Sequence, residues 1–319
     1  MTPERRAALV KDRARALGFE SCGVTDLSPP PHAEQLTTWL ATGMAGTMTY
    51  MHRQAGLRRE PERIVPGATR VVVVTRNHYV PDPPPPHRSG RGLVAKYARG
   101  KDYHDALRAP LQELAREIER LGESETIAPV FIDAGPVPER ELAQRAGLGW
   151  IGKNTMLIDP KAGSFCFIGS IFTDADLAID LPFEADRCGT CRKCLDACPT
   201  DAFPQERVLD GRLCISYLTI EHRGEIASSL AAQMGHRVFG CDICQDVCPW
   251  NQKFATEIGD AALERDAALA EIDLRKMSDI ADAEFDRSYG WTALERPGAT
   301  GMRRNARIAA SNALEEQIV

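Results

Sequence analysis

The 319-residue sequence contains no apolar run of the roughly 18 to 20 residues that a membrane span requires. A twin arginine stands at Arg5 and Arg6, but no apolar segment or cleavage site follows it, so an export signal is missing as well. The chain also lacks a P-loop and any Gly-x-Gly-x-x-Gly segment that follows a predicted strand. These absences predict a cytoplasmic protein that does not enter the membrane and has no common nucleotide site.

An excess of positive charge is also missing, because the formal net charge is −6. Residues 47–108 nevertheless carry 12 Lys or Arg against 5 Asp or Glu, whereas residues 254–286 carry 10 acidic against 3 basic residues. This asymmetry allows a local basic surface for an anionic partner, although ordinary solvated faces would give the same pattern.

Cysteine, in contrast, is abundant, and its spacing predicts two 4Fe–4S clusters. The first run follows C-x₂-C-x₂-C-x₃-C-P, the bacterial ferredoxin spacing in which the last cysteine binds the other cluster of a pair. The second run, C-x₂-C-x₃-C-P, is one cysteine shorter, and Cys214 between the runs is the predicted eighth ligand. The predicted ligands of one cluster are Cys188, Cys191, Cys194 and Cys248, and those of the other are Cys198, Cys214, Cys241 and Cys244.

Two other uses of cysteine fit this pattern less well. Structural zinc takes C-x₂-C pairs and not two longer runs that each end in proline. Disulfides belong to oxidising compartments, of which the sequence gives no sign. Cys22 and Cys166 lie among apolar or small neighbours, and we expect both to be buried, unreactive thiols.

Helix and strand patterns alternate up to about residue 180. The β-branched run Arg70–Thr75 is the clearest strand, and helices are expected at 3–17, 33–42 and in a long segment ending near Leu121. A proline-rich loop at 81–86 is expected to be exposed. The alternation indicates an α/β or α+β domain. We expect domains at 1–180, 181–253 and 254–319, the last of them helical.

Several motifs resemble those of the epoxyqueuosine reductase family, and together they span essentially the whole chain. They are Leu57-Arg58 before Pro61, the segments 96–104, 133–140, 146–154 and 214–221, both cysteine runs, and Arg304-Asn305-Ala306. The resemblance implies an α+β fold: an N-terminal cobalamin-binding α/β domain, a ferredoxin-like domain with two 4Fe–4S clusters, and a short helical segment like the start of HEAT-like repeats. It also implies reduction of the epoxide of epoxyqueuosine, at the tRNA wobble position, to the alkene of queuosine.

The resemblance further implies which residues form the site. Loss of the epoxide oxygen takes two electrons and two protons, and Asp133 is expected to be a buried carboxyl that donates a proton, although an Asx-turn residue is the alternative. Cobalamin is expected to be held without a protein histidine on cobalt, which leaves out His52 and His104. Its predicted contacts are Arg58, Tyr97, Asp133, Lys153, Asn154 and Ser164.

The expected partners are a tRNA anticodon stem-loop and an electron donor such as a flavodoxin or ferredoxin, and we expect the protein to be a monomer. Arg303 and Arg304 are predicted to contact tRNA phosphates. Two alternatives belong to other classes. Corrinoid reductive dehalogenases resemble this architecture but usually carry an export signal, and a non-catalytic electron-transfer adaptor would use the front domain for docking.

Overall fold

The structure, a computed structural model, describes residues 1–82, 90–122, 125–257 and 259–315. Its strands are β1 (Ser21–Thr25), β2 (Arg70–Asn77), β3 (Arg91–Val94), β4 (Val130–Ile132), β5 (Trp150–Ile151), β6 (Leu157–Ile158), β7 (Cys166–Thr173), β8 (Arg237–Phe239) and β9 (Glu271–Asp273). Most of the expected proline-rich loop, residues 83–86, lies outside the described residues.

The α-helices alternate with these strands in the first half of the chain and dominate the second half. They are α1 (Pro3–Ala16), α2 (Ala33–Ala41), α3 (Thr49–Arg53), α4 (Ala55–Arg59), α5 (Tyr103–Leu121), α6 (Glu139–Arg145), α7 (Lys193–Asp196), α8 (Ile215–Ile220), α9 (Ser228–Gln233), α10 (Ile243–Asp246), α11 (Pro249–Phe254), α12 (Leu274–Asp279), α13 (Asp282–Tyr289) and α14 (Gly298–Glu315).

The larger sheet has the strand order β1-β2-β7-β4, and every neighbouring pair is antiparallel. A parallel sheet would need a crossover connection between each pair of strands. The antiparallel pairing therefore decides between the two expected classes, and the N-terminal part of the chain is α+β.

Strand β2 is the centre of this part because both of its faces are buried. Val72 and Val74 pack in the core with α1 and α5, whereas Val71 and Val73 face α6 on the other side of the sheet. Full burial of each valine contributes about 1.5–3 kcal/mol. The β-branched run thus forms a strand covered on both faces by helices.

Helix α5 brings its first turn to the end of β4, where the candidate site lies. It begins after Asp102, whose carboxylate caps the helix by accepting a hydrogen bond from the His104 amide. Its buried side chains recur at helical spacing, including Leu107, Leu111 and Leu114. This packing against the sheet fixes the position of Tyr103 in the first turn.

A second sheet, of order β8-β3-β9, joins parts of the chain that are far apart in sequence. Strand β3 pairs in parallel with β8 and antiparallel with β9. One strand from the predicted first domain therefore pairs with strands from the other two. The expected domain boundaries stay a prediction.

Helix α14 packs against the rest of the chain through Met302, Ala306 and Ala309, which are fully buried. Asn305, also fully buried, donates hydrogen bonds of 2.8 Å to the carbonyl oxygens of Thr219 and Val238. These two bonds tie the helix to α8 and β8.

Arg303 and Arg304, the expected phosphate contacts, both have partners within the chain, which disfavours their use by tRNA. Arg304 donates to the carbonyl oxygens of Leu218 and His222 at 2.7 and 2.9 Å. Arg303 pairs with Asp282 at 2.7 Å. Both guanidinium groups are occupied in holding α14.

Among the described residues, no helix is both long and apolar enough to cross a membrane.

Candidate functional site

The seven cysteines of the two runs, together with Cys214, fall into two groups of four. Group A (Cys188, Cys191, Cys194 and Cys248) lines a single cavity. In group B (Cys198, Cys214, Cys241 and Cys244), burial raises the pKa of Cys214, and the neighbouring Cys198 adds to the shift. Burial raises the pKa of Cys241 to about 12, and Cys214 is again a neighbour. Cys244 has Cys241 and Cys214 as neighbours. The grouping agrees with the two predicted ligand sets, and ligation itself stays a prediction.

The cysteine groups suit iron–sulfur clusters better than single ions. In the described part of the chain, no three Cys, His, Asp or Glu side chains are placed to hold one metal ion. The group A sulfurs instead surround a cavity, which suits a four-iron cluster that keeps its ligands apart. N–H groups also point at sulfur: the Trp150 indole donates to Cys188 and the Ala202 amide to Cys198, both at 3.4 Å. Such bonds tune cluster potentials.

Short helices present these sulfurs. Cys194 lies in α7, and Cys214 and Cys248 precede α8 and α11 as their N-cap residues. Pro249 occupies the first turn of α11, where the missing amide proton costs no hydrogen bond. Pro249 therefore starts a new helix beyond the last sulfur of the second run.

The two remaining cysteines lie apart from both groups. Burial raises the pKa of Cys22 and of Cys166 to about 12. A thiol with so high a pKa is a poor nucleophile at neutral pH.

Asp133 lies at the end of β4 on an exposed loop, so the protein alone does not bury its carboxyl, and burial beside a bound corrin stays a prediction. Its backbone adopts a φ of +43°, in the left-handed region that non-glycine residues seldom occupy. The Tyr103 hydroxyl donates to its carboxylate, and its own amide donates to the Glu139 carboxylate at 2.7 Å. The carboxyl is exposed but held in one orientation.

Glu139 is the carboxyl whose pKa is raised in this site. Burial and the neighbouring charge of Asp133 raise the pKa of Glu139 to about 8. It therefore holds a proton near neutral pH, close to the exposed Asp133. The segment 133–140 was recognised in the sequence, but spacing alone could not show that Glu139 reaches back to the Asp133 amide.

Arg58 holds the loop that carries Asp133. Its guanidinium donates to the carbonyl oxygens of Gly135 and Val137, both at 3.0 Å. Its Nε is buried and has no hydrogen-bond partner. Because Arg58 lies in α4, this clamp joins a helix to the turn after β4.

Aromatic rings connect Asp133 to Tyr97. Tyr103 stacks on Phe167, with ring centroids 4.4 Å apart and planes within 6°. Burial and the charge of Asp133 raise the pKa of Tyr103, which keeps its hydroxyl protonated as a donor. Tyr97 lies edge-on to Tyr103 at 5.9 Å, and burial raises its pKa too. Among the described residues, the Tyr97 hydroxyl has no hydrogen-bond partner.

Tyr97 also adjoins group B. The Lys96 amide donates to the Asp242 carboxylate at 2.7 Å, and the Lys96 ammonium pairs with Asp246 at 2.7 Å. Gly240 packs so closely on Ala95 that an added Cβ would lie 2.6 Å from the alanine methyl and 3.5 Å from the Tyr97 ring. The turn after β3 is thereby fastened onto the second cysteine run.

Of the six predicted cobalamin contacts, Arg58 and Tyr97 adjoin Asp133 and its loop, whereas the side chains of the other three contact the cysteine segment. Lys153 lines the group A cavity and pairs with Glu206 at 2.8 Å. The Asn154 amide donates to the Cys244 carbonyl at 3.2 Å.

Ser164 is 1% exposed and has partners for both its donor and its acceptor. Its hydroxyl donates to Gln245 and accepts from Asn251, each at 2.9 Å. Its hydroxyl is therefore already hydrogen-bonded within the chain. Together with Asn154, it fastens the front of the chain to the cysteine segment.

Sequence reasoning missed three residues near Asp133 besides Glu139. Tyr103 was within a recognised motif but had no assigned role. Tyr50 and Glu221 come from α3 and from the end of α8, and the charge of Glu221 adds to the burial that raises the pKa of Tyr50. Glu221 ends the family-like segment 214–221 but has no role predicted from it, and Tyr50 lies in none of the motifs; only the fold brings these elements together.

Two protein families match parts of this chain. A family described as "4Fe-4S double cluster binding domain" matches residues 187–251, and one described as "Epoxyqueuosine reductase QueG, DUF1730" matches residues 58–134. The epoxyqueuosine reductase of Pseudomonas aeruginosa is 39% identical, with 98% of this chain and 86% of the relative covered. That of Gloeobacter violaceus is 42% identical, with 95% of each chain covered. The chain belongs to the epoxyqueuosine reductase family.

Solved structures of epoxyqueuosine reductases share this fold. One, solved with a tRNA-Tyr epoxyqueuosine-modified stem loop, is 28% identical with a TM-score of 0.88, over 96% of this chain and 81% of that one. Another, from Bacillus subtilis, has its catalytic aspartate loop swung out of the active site; it is 28% identical with a TM-score of 0.84, over 97% and 83% of the two chains. The epoxyqueuosine reductase assignment is thus favoured over the dehalogenase and adaptor alternatives.

Proposed function

We propose that this chain reduces the epoxide of epoxyqueuosine in tRNA to the alkene of queuosine, with Asp133 as the proton donor. One observation carries the assignment of Asp133: an exposed carboxyl in strained backbone is oriented by Tyr103, Glu139 and Arg58. Strained backbone of this kind persists where the surroundings enforce it, and it clusters at active sites. The aspartate loop of the Bacillus subtilis relative supports the same role.

Two kinds of cofactor follow from the reaction. The cysteines of groups A and B hold two 4Fe–4S clusters, and cobalamin binds beside Asp133. When bound, these groups supply single electrons and a strongly reducing cobalt centre.

The residues around Asp133 fit an amide-rich cofactor. The Arg58 Nε and the Tyr97 hydroxyl are polar donors without hydrogen-bond partners in the described structure, and Asp133 can accept a further bond. Arg58, Tyr97 and Asp133 would therefore hold the corrin or its side chains, whereas Lys153, Asn154 and Ser164 support the cysteine segment.

Protonation is the part of the reaction that the chain itself performs. The epoxide takes up two electrons and two protons and leaves an alkene and water. Asp133 takes up a proton and passes it to the departing oxygen, and the Tyr103 hydroxyl keeps the carboxyl pointed at one position. Glu139, which holds a proton near neutral pH, lies next to Asp133 and stores the second proton.

The partners follow from the same assignment. The substrate is a tRNA anticodon stem-loop, as the stem-loop complex of a relative suggests. Electrons come from a small protein donor such as a flavodoxin or ferredoxin, and the chain works as a monomer. Cluster thiolates need a reducing compartment, so we assign the protein to the cytoplasm.

The test is the variant Asp133→Asn, which keeps the shape of the side chain and replaces the carboxyl by an amide that cannot donate an acidic proton. We expect unchanged iron content and cobalamin absorption with a loss of single-turnover epoxide reduction of roughly a hundredfold or more. Asp105→Asn, which changes an exposed aspartate on α5, is the matched control and should keep full activity. Normal turnover by the Asp133 variant would assign the proton to another group, and loss of cobalamin would make Asp133 a binding residue.

A further inference from the structure

We propose that the exposed face around group A is the docking surface for an acidic one-electron carrier protein, so that electrons enter at group A and pass through group B toward Tyr97. The inference rests on the proposed two-cluster function and adds to it where the donor binds and in which order the clusters are used. Four observations carry it: exposure, connectivity, charge and an apolar patch.

Group A lies nearer to solvent than group B. Arg187, Gly189, Thr190, Arg192 and Lys193 all surround the group A sulfurs, and all are exposed. The chain neighbours of group B are mostly covered.

Of the residues that flank the group B sulfurs, three are buried: Thr200, Asp242 and Gln245. A carrier that must bring its own cofactor close to a cluster can therefore approach group A more easily.

Group B lies on the side of the candidate active site. Lys96 and Gly240 fasten the turn containing Tyr97 onto the second cysteine run. Cys244 of group B has Cys194 of group A as an electrostatic neighbour, so the two groups adjoin. The order from solvent to Asp133 is therefore group A, group B, Tyr97.

The charges at this face suit an acidic partner. Arg192 pairs with Asp196 and Arg207 with Asp186, so these four charges cancel. Arg187, Lys193 and Lys253 make no ion pair within the described residues, and the Arg187 guanidinium lies over the Phe183 ring at 5.4 Å.

Glu184 and Asp201, both exposed and without an ion pair among the described residues, are the acidic residues that oppose these three cations. A local excess of positive charge is unusual on a chain of net charge −6. Complementary charge of this kind steers association and raises its rate.

An apolar patch borders the same cations. Leu181 is 88% exposed and Ile179 is 45% exposed, which is unusual for large apolar side chains. Two residues beyond Leu181, Phe183 stacks on Trp150 at 5.6 Å, and Trp150 donates to Cys188. Weak electron-transfer complexes bury small interfaces. A short apolar patch beside unpaired cations suits an interface of that size.

Each encounter moves one electron. The reduced carrier loses it, and the cluster held by group A gains it, with no bond made or broken. Two encounters supply the two electrons that one epoxide needs, while both protons pass through Asp133 and Glu139.

The experiment follows cluster reduction by stopped-flow absorbance, without tRNA and without cobalamin, using the iron-loaded chain and an acidic flavodoxin in its hydroquinone state. We expect the rate to fall steeply with salt. The double variant Arg187→Glu with Lys193→Glu should be reduced at least tenfold more slowly at low salt, and the neutral pair Arg187→Gln with Lys193→Gln should lie between. Leu181→Ser should slow reduction at every salt concentration.

Two controls separate docking from damage to the cluster. Arg275→Glu changes an equally exposed cation on α12 and should keep the wild-type rate. EPR-monitored titration should give unchanged midpoint potentials for every variant. An unchanged rate in the charge variants, or a slower rate explained by a shifted potential, would overturn the docking surface. Because the assay contains no epoxide, such a result leaves the reductase function standing, and failure of epoxide reduction alone leaves the docking surface standing.

Discussion

At the scale of single residues, the candidate site holds two neighbouring carboxyls in different surroundings. Asp133 is exposed and oriented by a tyrosine, whereas Glu139 is more enclosed and has the raised pKa. A reaction that consumes two protons can use one group as the donor and the other as the store. The sequence indicated only the first, because the raised pKa of Glu139 depends on its burial and on the charge of Asp133.

Glu139→Gln tests the stored proton. Above its raised pKa, Glu139 of the wild type ionises, and we expect turnover to fall as the pH rises past that value. The glutamine side chain of the variant cannot ionise or donate this proton. The variant should therefore turn over more slowly near neutral pH and should not show the alkaline decline. Stability gives a second readout. Between about pH 4.5 and about 8 the folded state holds a proton that the unfolded chain releases, so the stability of the wild type falls as pH rises.

The melting temperature measured across this window should fall less steeply with pH in Glu139→Gln than in the wild type. Glu62→Gln, at an exposed position, is the control and should keep the wild-type slope. Equal slopes for wild type and Glu139→Gln would show that the Glu139 proton does not differ between the folded and unfolded states.

At the scale of elements, local patterns predicted most of the helices and strands. The expected helices at 3–17 and 33–42 correspond to α1 and α2, and the valine run forms β2. Their periodicity and end signals are local, so a single sequence contains them. The roles of Arg58, Asn154 and Ser164 were not predictable in this way, because each depends on a segment remote in the chain that folding brings beside it.

Cys214 is the cysteine whose role depends most on element packing, since it lies in neither run and reaches group B through the turn before α8. Cys214→Ala should lose or degrade one cluster, lowering iron from about eight to about four atoms per chain. EPR of the reduced protein should then show one cluster signal. Cys22→Ala, at a buried thiol outside both groups, should keep both clusters. Two intact clusters in Cys214→Ala would remove Cys214 from the ligand set.

At the scale of the whole molecule, the candidate site draws on all three parts that the sequence suggested. Asp133 and Tyr97 come from the first part and Glu221 from the second. Arg296, from the third, bonds Glu221 at 3.0 Å. The second sheet makes this assembly possible, since β3 pairs with both β8 and β9. Composition and motifs indicated the separate parts, but strand pairing over such distances in sequence has no local signal.

We expect this acidic chain to bind tRNA through exposed cations that have no partner within the described part of the chain. Arg53, at the end of α3, is exposed and has no ion pair among the described residues, and α3 also carries Tyr50 of the candidate site. A phosphate contact releases counterions, so the logarithm of affinity should fall linearly with the logarithm of salt concentration. Arg53→Gln should weaken binding of a stem-loop whatever its sequence, and it should reduce the salt slope by about 1.

Arg303→Gln is the matched control for this measurement, because the Arg303 guanidinium is already paired with Asp282. Its salt slope for stem-loop binding should equal that of the wild type. An unchanged slope in Arg53→Gln together with a reduced slope in Arg303→Gln would reverse the assignment. It would mean that the Asp282 pair opens in the complex and that α14, and not α3, contacts the RNA backbone.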